Sequence, residues 1–383
     1  MESGQGSRHV WIIAGEPSGD TYGAALACEL KRIEPSIRLS GMGSAKMREA
    51  GVNLYVDSTE LGIIGIIEAL KKIFFFIGLM RRMVALAREE RPDVVVMIDY
   101  PGFNIRLAQR LKKIGIPVVF YVSPQVWAWK KGRVFKLAKC VERMLCIFPF
   151  EPECYSKTSL KAVFVGHPLL EILAPLKAQK QERDPSLVLI LPGSRISELD
   201  RLLKIFLLTA QEMQRQKPEL HFALPLTNEK RRAQAEAIIA ETELTPQFRA
   251  SLSISVGNTR ELMCKAVAGL AASGTVTVEA AILEMPVVVA YRGGHLTYLI
   301  AKMLVHLPYI TIANLVTGKM VFKECLQYDA VPEIMAPAML SILPDGSRRK
   351  EVMDGIAECL AKLGEKRQVS RNVAENVLEV IGT

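Results

Sequence analysis

The chain of 383 residues has no uncharged apolar stretch of the ~18 residues that a membrane-crossing helix needs. Its most apolar segment, Leu61 to Met83, is broken by Glu68, Lys71, Lys72, Arg81 and Arg82, so it is expected to lie on a membrane rather than span it. The polar start, Met1 to Ser7, leads into too short an apolar run for a signal peptide. The 7 cysteines, at positions 28, 140, 146, 154, 264, 325 and 359, are odd in number and form no Cys-x-x-Cys pair. That argues against a disulfide framework and for reduced core thiols in a cytoplasmic protein. No His-Glu-x-x-His and no Asp-x-Asp occurs, so no metal is expected. The Gly-x-Gly-x-x-Gly fingerprint and the Walker A sequence are missing too, which weighs against a nicotinamide dehydrogenase or a P-loop enzyme. Acidic residues are outnumbered 40 to 49, and the net charge of +9 favours an anionic partner. The basic residues are scattered, with no aromatic–basic strip, so nucleic acid is not the expected one.

What the chain does have is apolar sequence in short pieces. Half its residues are hydrophobic, and its length exceeds what one core usually serves, so two domains are expected. Continuously apolar runs mark strands at Val10–Ala14, Val94–Ile98, Val118–Tyr121, Met144–Phe148 and Val163–Val165. A second set follows at Leu187–Leu191, His221–Leu224, Leu252–Val256, Val267–Ala271 and Val287–Ala290. Runs of this kind are buried on both faces, as in parallel sheets, and amphipathic helices such as Tyr22–Ile33 and Asn104–Lys113 alternate with them. Residues 172–185 contain two prolines and many polar residues and read as a linker. The expected fold is therefore α/β: an N-terminal doubly wound domain over 1–171 and a C-terminal one over 186–349, facing each other across a cleft.

Open parallel sheets bind ligands at the carboxyl ends of their strands. The loops there are 15–20 (Gly-Glu-Pro-Ser-Gly-Asp), 99–104 (Asp-Tyr-Pro-Gly-Phe-Asn), 123–129, 166–168 (Gly-His-Pro), 192–195 (Pro-Gly-Ser-Arg) and 272–275 (Ala-Ser-Gly-Thr). Ser273, Gly274 and Thr275 open a helix and suit a diphosphate, with Glu279 one turn on for ribose hydroxyls; plain helix capping reads equally well. Ser194 and Arg195 follow a Gly turn, where a guanidinium favours phosphate over an idle surface charge, though Ser194 to Glu198 also reads as a plain helix cap. Asp99 ends a very apolar strand, where desolvation raises a carboxyl pKa and fits it to act as a base; capping the helix near Asn104 is the alternative. Ser18 and Asp20 either cap a helix or line a sugar site, and His167 is more often a structural histidine than a functional one. The basic, apolar segment offers Ile64, Ile67, Leu70, Phe74, Phe75, Phe76 and Leu79 with Lys71, Lys72, Arg81 and Arg82, either as a core helix or as a patch on an anionic membrane.

These loops, in this order, resemble the bacterial lipid-A-disaccharide synthases, glycosyltransferases of the GT-B fold. The resemblance runs through residues 15–20, 98–104, 121–129, 165–169, 191–195 with Glu198, 272–275 with Glu279, 286–292 and 314–315. It implies transfer of a diacylglucosamine from UDP-2,3-diacylglucosamine to the 6-hydroxyl of 2,3-diacylglucosamine 1-phosphate, with inversion and no cofactor. By position, Asp99 would be the general base and Arg195 would meet the diphosphate. Ser194, Ser273, Gly274 and Thr275 would cradle it, Glu279 would hold ribose, and Asn314 would lie near the nucleotide. Glu16, Ser18, Gly19, Asp20, Asn104, Gln125 and His167 would serve the sugar or acceptor side. Helices from about 350 to 383 would return to the N-terminal domain. Two positions depart from the family pattern: Tyr100, where a small residue is usual, and Gly102, where many members carry a second acid. The resemblance also implies a peripheral position on the cytoplasmic face of the inner membrane of a Gram-negative-type bacterium, with self-association left open. Other readings are a peptidoglycan-precursor glycosyltransferase, a UDP-N-acetylglucosamine 2-epimerase, or a non-catalytic nucleotide-sugar binder at a membrane surface.

Overall fold

The computed structural model describes residues 7–58, 69–128, 132–179, 181–294, 307–365 and 368–382, with only the backbone described at 69–73. The chain forms two units, Met1–Pro168 with Lys366–Thr383, and Leu169–Glu365.

The first unit is built on a parallel sheet of β1 (His9–Ala14), β2 (Arg38–Gly43), β3 (Asn53–Asp57), β4 (Val94–Ile98), β5 (Val118–Tyr121), β6 (Arg143–Cys146) and β7 (Lys161–Phe164). Their order is β3-β2-β1-β4-β5-β6-β7. The central strands β1 and β4 are buried at every residue, as expected where helices cover both faces. Successive side chains point to opposite faces. Trp11, Ile13, Val95 and Met97 share a core cluster with residues of α3 (Ala69–Glu90) and α4 (Pro101–Lys113), while Ile12 meets Gly23 of α1 (Pro17–Ile33). The last helix, Val369–Gly382, packs against α1.

The second unit repeats the plan with β8 (Asp184–Leu191), β9 (His221–Leu226), β10 (Leu252–Val256), β11 (Ala266–Ala272), β12 (Val287–Tyr291) and β13 (Glu324–Leu326). All pairs are parallel, in the order β10-β9-β8-β11-β12-β13. In each sheet the strand order reverses at one place, between β1 and β4 and between β8 and β11. That is where such sheets open a crevice for ligands.

Three strands had no clear sequence signal. β2 reads Arg-Leu-Ser-Gly-Met-Gly, β3 alternates polar and apolar, and β13 has only 3 residues. The linker expected over 172–185 is not one. The helix Leu169–Lys177 runs through Pro175, held by the buried Leu169, Leu170 and Leu173, and β8 begins at Asp184. Arg183 ties the intervening turn to the second unit by donating to the carbonyls of Met263 and Ala266. The return to the first unit also starts later than 350. The helix Arg349–Leu363 packs against Ile312–Thr317 within the second unit. Five cysteines are buried, but Cys28 is exposed and Cys154 half-buried.

The segment expected at a membrane divides by helical period. Ile64 and Ile67 lie outside the described residues, as do the side chains of Leu70, Lys71 and Lys72. Phe74 is 70% exposed, and Phe75 and Ile77 are exposed with it. Leu79 is not on that surface. With Met80, Met83 and Ala87 it forms the stripe of α3 that faces the core, because these positions recur at helical spacing. Phe76 packs, with its ring tilted, between Tyr100 and Phe103, with ring centroids 6.5 and 6.1 Å away. Arg81 and Arg82 are exposed, and Arg82 Nη2 donates to the Tyr55 carbonyl at 3.0 Å. Among the described residues no helix is long and apolar enough to cross a membrane.

Candidate active site

The chain leaves β4 through two consecutive left-handed residues, Asp99 and Tyr100, both at φ 48°. Residues with a Cβ adopt that region at a cost, and it persists where surrounding contacts hold it. Asp99 N donates to the Tyr121 carbonyl at 2.9 Å. Asn104 Nδ2 donates to the Asp99 carbonyl at 2.8 Å and to that of Ile98 at 3.3 Å. The Tyr100 ring lies over Gly15, where a Cβ would come within 2.5 Å of it, so the loop after β1 accepts no larger residue there. These contacts fix Asp99 at the crevice of the first sheet. Its pKa is raised to about 6, by burial first and by the negative charge of Glu16 second, while the Tyr100 amide pulls the other way. Such a carboxylate is mostly ionised at neutral pH, yet a stronger base than an ordinary aspartate.

The other residues expected on the acceptor side separate into two groups. Glu16 is exposed in the loop after β1, Ser18 in the first turn of α1 and Gln125 in the loop after β5, while Gly19, in the same turn of α1, is buried. Asp20 is not a ligand-facing group. Its carboxylate accepts from the amides of Ser44 at 2.6 Å, Lys46 at 3.1 Å and Met47 at 3.3 Å, capping α2 (Ala45–Glu49) from a neighbouring element. Asn104 is fully buried in the first turns of α4, and its amide nitrogen is spent on the strand end; its Oδ1 has no partner among the described residues. His167 is buried beside Phe148, with centroids 5.4 Å apart, and burial lowers its pKa to about 3. It is neutral at any working pH.

Sequence reasoning missed Glu151. This buried acid accepts from the amides of Ile147 and Phe148, both at 3.0 Å, and from Trp127 Nε1 at 3.3 Å. It joins the loop after β5 to the end of β6, and burial raises its pKa to about 7 despite those donors. The signal available was an acid inside the apolar Phe148-Pro149-Phe150-Glu151-Pro152.

At the crevice of the second sheet a polar pocket of about 640 Å³ is lined by Ser194, Arg195, Ser273, Gly274, Thr275 and Glu279 together with Glu198 and Arg260. Arg195 is 81% exposed, with one nitrogen 3.1 Å from Glu198. Glu198 also accepts from the amides of Ser194 and Arg195, at 2.9 and 3.1 Å. Gly193, at φ 106°, therefore makes room for this carboxylate, since a Cβ would sit 2.2 Å from Glu198 Oε2. The helix Thr275–Ile282 starts at Gly274, on the pocket wall, with no side chain capping it, an arrangement that can receive an anion. Glu279 is not free to wait for ribose: Arg260 pairs with it at 2.5 Å. Arg260 was missed because it sits behind Gly257, at the end of the weakly apolar β10. Asn314 does not line the pocket. It is fully buried, donating to the Phe322 carbonyl and Glu324 and accepting from Phe322 N. Among the described residues, no group of three or more His, Cys, Asp or Glu could hold a metal ion.

A family model described as lipid-A-disaccharide synthetase matches residues 10–378. The chain is 36% identical over 384 residues to the lipid-A-disaccharide synthase of Coxiella burnetii (strain CbuG_Q212), covering 98% of each. It is 38% identical over 378 residues to that of Anaeromyxobacter sp. (strain K), covering 97% of each. Among solved structures it is similar to the UDP-GlcNAc 2-epimerase of Neisseria meningitidis bound to UDP-GlcNAc, with TM-score 0.64 and 15% identity over 97% of this chain and 100% of that one. A calicheamicin glycosyltransferase gives TM-score 0.59 and 13% identity, covering 98% of each chain. At such identities the likeness concerns the fold, two parallel-sheet α/β domains of the GT-B kind.

Proposed function

The chain belongs to the lipid-A-disaccharide synthase family, and on that premise we propose which of its residues carry the reaction. It is a glycosyltransferase that forms the lipid A disaccharide, taking UDP-sugar-type substrates. In our reading the donor is UDP-2,3-diacylglucosamine and the acceptor 2,3-diacylglucosamine 1-phosphate. Asp99 takes the proton from the acceptor's 6-hydroxyl as that oxygen attacks the anomeric carbon. UDP leaves from the opposite face, so the configuration inverts in one displacement and no covalent nucleophile is needed. The observation that carries this reading is Asp99 itself: a carboxyl at the sheet's crevice, clamped in a strained turn, with its pKa raised to about 6.

The leaving diphosphate goes to the second unit. Developing charge there is met by the open helix N-terminus at Thr275 and by the exposed fork of Arg195. No metal is assigned to this step, because amides and a guanidinium supply the positive charge. Glu198 and Glu279 act as positioning groups, the first shaping the Gly193 turn and the second holding Arg260 at the pocket wall. Asn314 acts further back, by tying its helix to Glu324. The exposed Phe74 and Phe75 are assigned to contact with the lipid surface that holds both substrates. The epimerase reading would need a histidine in the cleft as well as acids such as Asp99, and His167 is buried and neutral.

Incubating the protein with UDP-diacylglucosamine and diacylglucosamine 1-phosphate, with and without chelator, tests the assignment. Disaccharide phosphate should appear at the same rate in both. Arg195→Ala should weaken UDP about 10–100-fold by calorimetry, the scale of losing charge-assisted hydrogen bonds. Plain UDP-N-acetylglucosamine serving equally well as donor would remove the lipid assignment.

A further inference from the structure

We propose that the groove between α3 and α4 holds the acyl chains of the acceptor lipid, with Arg81, Arg106 and Arg110 meeting its phosphate. This rests on the assignment of a diacylated sugar phosphate as acceptor. The groove encloses about 800 Å³, within the ~300–1,000 Å³ usual for small-molecule sites. Its wall is apolar: Phe76, Ile77, Met80, Tyr100 and Phe103. Arg81, Arg106 and Arg110 line it too. Arg106 and Arg110 each place one donor on a carbonyl of α4, at 3.4 and 3.1 Å. Among the described residues none of the three arginines is paired with a carboxylate. Apolar wall and unpaired cations together fit an anionic amphiphile, not a neutral chain or a soluble sugar.

Position decides which amphiphile. A base must stand within hydrogen-bond reach of the hydroxyl it deprotonates, so the acceptor sugar lies at Asp99. Tyr100, the next residue, already belongs to the groove wall, and Phe76 packs between Tyr100 and Phe103. A chain attached to a sugar at Asp99 enters the groove directly. The donor's phosphates are assigned to the second unit, which leaves the arginines of the first for the acceptor's phosphate. An ordinary phospholipid would satisfy the same chemistry, but it has no glucosamine 6-hydroxyl for Asp99 to deprotonate; the acceptor is therefore the occupant.

Gly102 allows a direct test, because it lines the groove and a Cβ built on it meets nothing within 4 Å. Gly102→Phe should fold normally and fill the space. The full-length protein, in mixed micelles, would be titrated with acceptors carrying long or very short acyl chains, and binding read by fluorescence independently of turnover. For the long-chain acceptor, Gly102→Phe should raise both Kd and KM about tenfold or more, the scale of a few methylenes left exposed. The short-chain acceptor should bind both proteins alike, and UDP affinity should not change. Arg106→Gln with Arg110→Gln should erase the preference for the phosphorylated acceptor over its dephosphorylated form. Equal long-chain acceptor binding by wild type and Gly102→Phe would overturn the proposal, whatever happens to turnover. So would loss of vesicle binding with acceptor Kd in micelles unchanged, since the groove would then be a bilayer contact only. If wild type binds acceptor but makes no disaccharide, the proposed function fails instead, and the groove assignment still stands or falls on the binding data.

Discussion

Asp99 combines two costs that an ordinary surface aspartate avoids: a left-handed backbone and a half-buried carboxyl beside Glu16. Both have measurable consequences. Asp99→Asn should lower kcat about 10²–10⁴-fold while UDP affinity stays within twofold, because only the base is removed. In wild type the acid limb of kcat/KM should fall near pH 6, where the carboxyl protonates. Glu16→Gln should move that limb to lower pH, because it removes the second cause of the raised pKa. Stability carries the same signature. An acid whose folded pKa lies above its unfolded value stabilises the fold at low pH and loses that contribution as pH rises through about 6. Asp99→Asn should therefore have a higher unfolding free energy than wild type at pH 8, by on the order of 1–3 kcal/mol, with the gain shrinking toward pH 4. Asparagine also tolerates the left-handed turn well. A variant less stable than wild type at pH 8 would contradict the raised pKa.

Elements, rather than residues, explain why some sequence candidates are structural. Asp20 looks like part of a sugar-binding loop, yet it stands one helical turn inside α1 and caps α2 across a gap in sequence. Asp20→Ala should cost about 1–3 kcal/mol of unfolding free energy, since it strands buried amides at the start of α2. The KM for each substrate should stay the same, and steady-state assays with denaturant melts separate the two effects. A raised KM at unchanged stability would return Asp20 to the binding site. α3 shows the same division along one helix. Leu79 and Met83 face the core, Phe74 faces out, and Phe76 and Ile77 lie on the wall of the groove.

At the level of the whole molecule, the chain order and the units do not coincide. The last helix, Val369–Gly382, belongs to the first unit, covering α1 and strands β4 and β5. Its hold includes Arg143, a buried cation whose Nη1 donates to Asn376 O and Oδ1 at 3.1 Å each and pairs with Glu379. Truncation after Gly364 would expose the contact surface of Val369, Val373, Ala374 and Val377 and leave Arg143 without these partners. Calorimetry of the truncated chain should show one transition lowered or lost, that of the first unit. Binding of UDP to the second unit should persist. If UDP binding disappears with the helix, the nucleotide site is not confined to the second unit.

The apolar runs by themselves determined ten of the strands, their parallel α/β class and the loops worth inspecting, because a strand buried on both faces has to be continuously apolar. They determined Asp99, Arg195 and Ser273 to Thr275 as candidates for the same reason: polar residues directly after such runs stand at the sheet's edge. Linear sequence could not decide what each polar group meets. Asp20 capping α2, Arg260 pairing with Glu279, and Asn314 locked inside its unit all depend on partners from other segments, and such a hydrogen bond leaves no trace in the spacing of either residue. The groove likewise exists only once α3 and α4 lie side by side, which brings Phe76 to Tyr100 and three arginines to one opening.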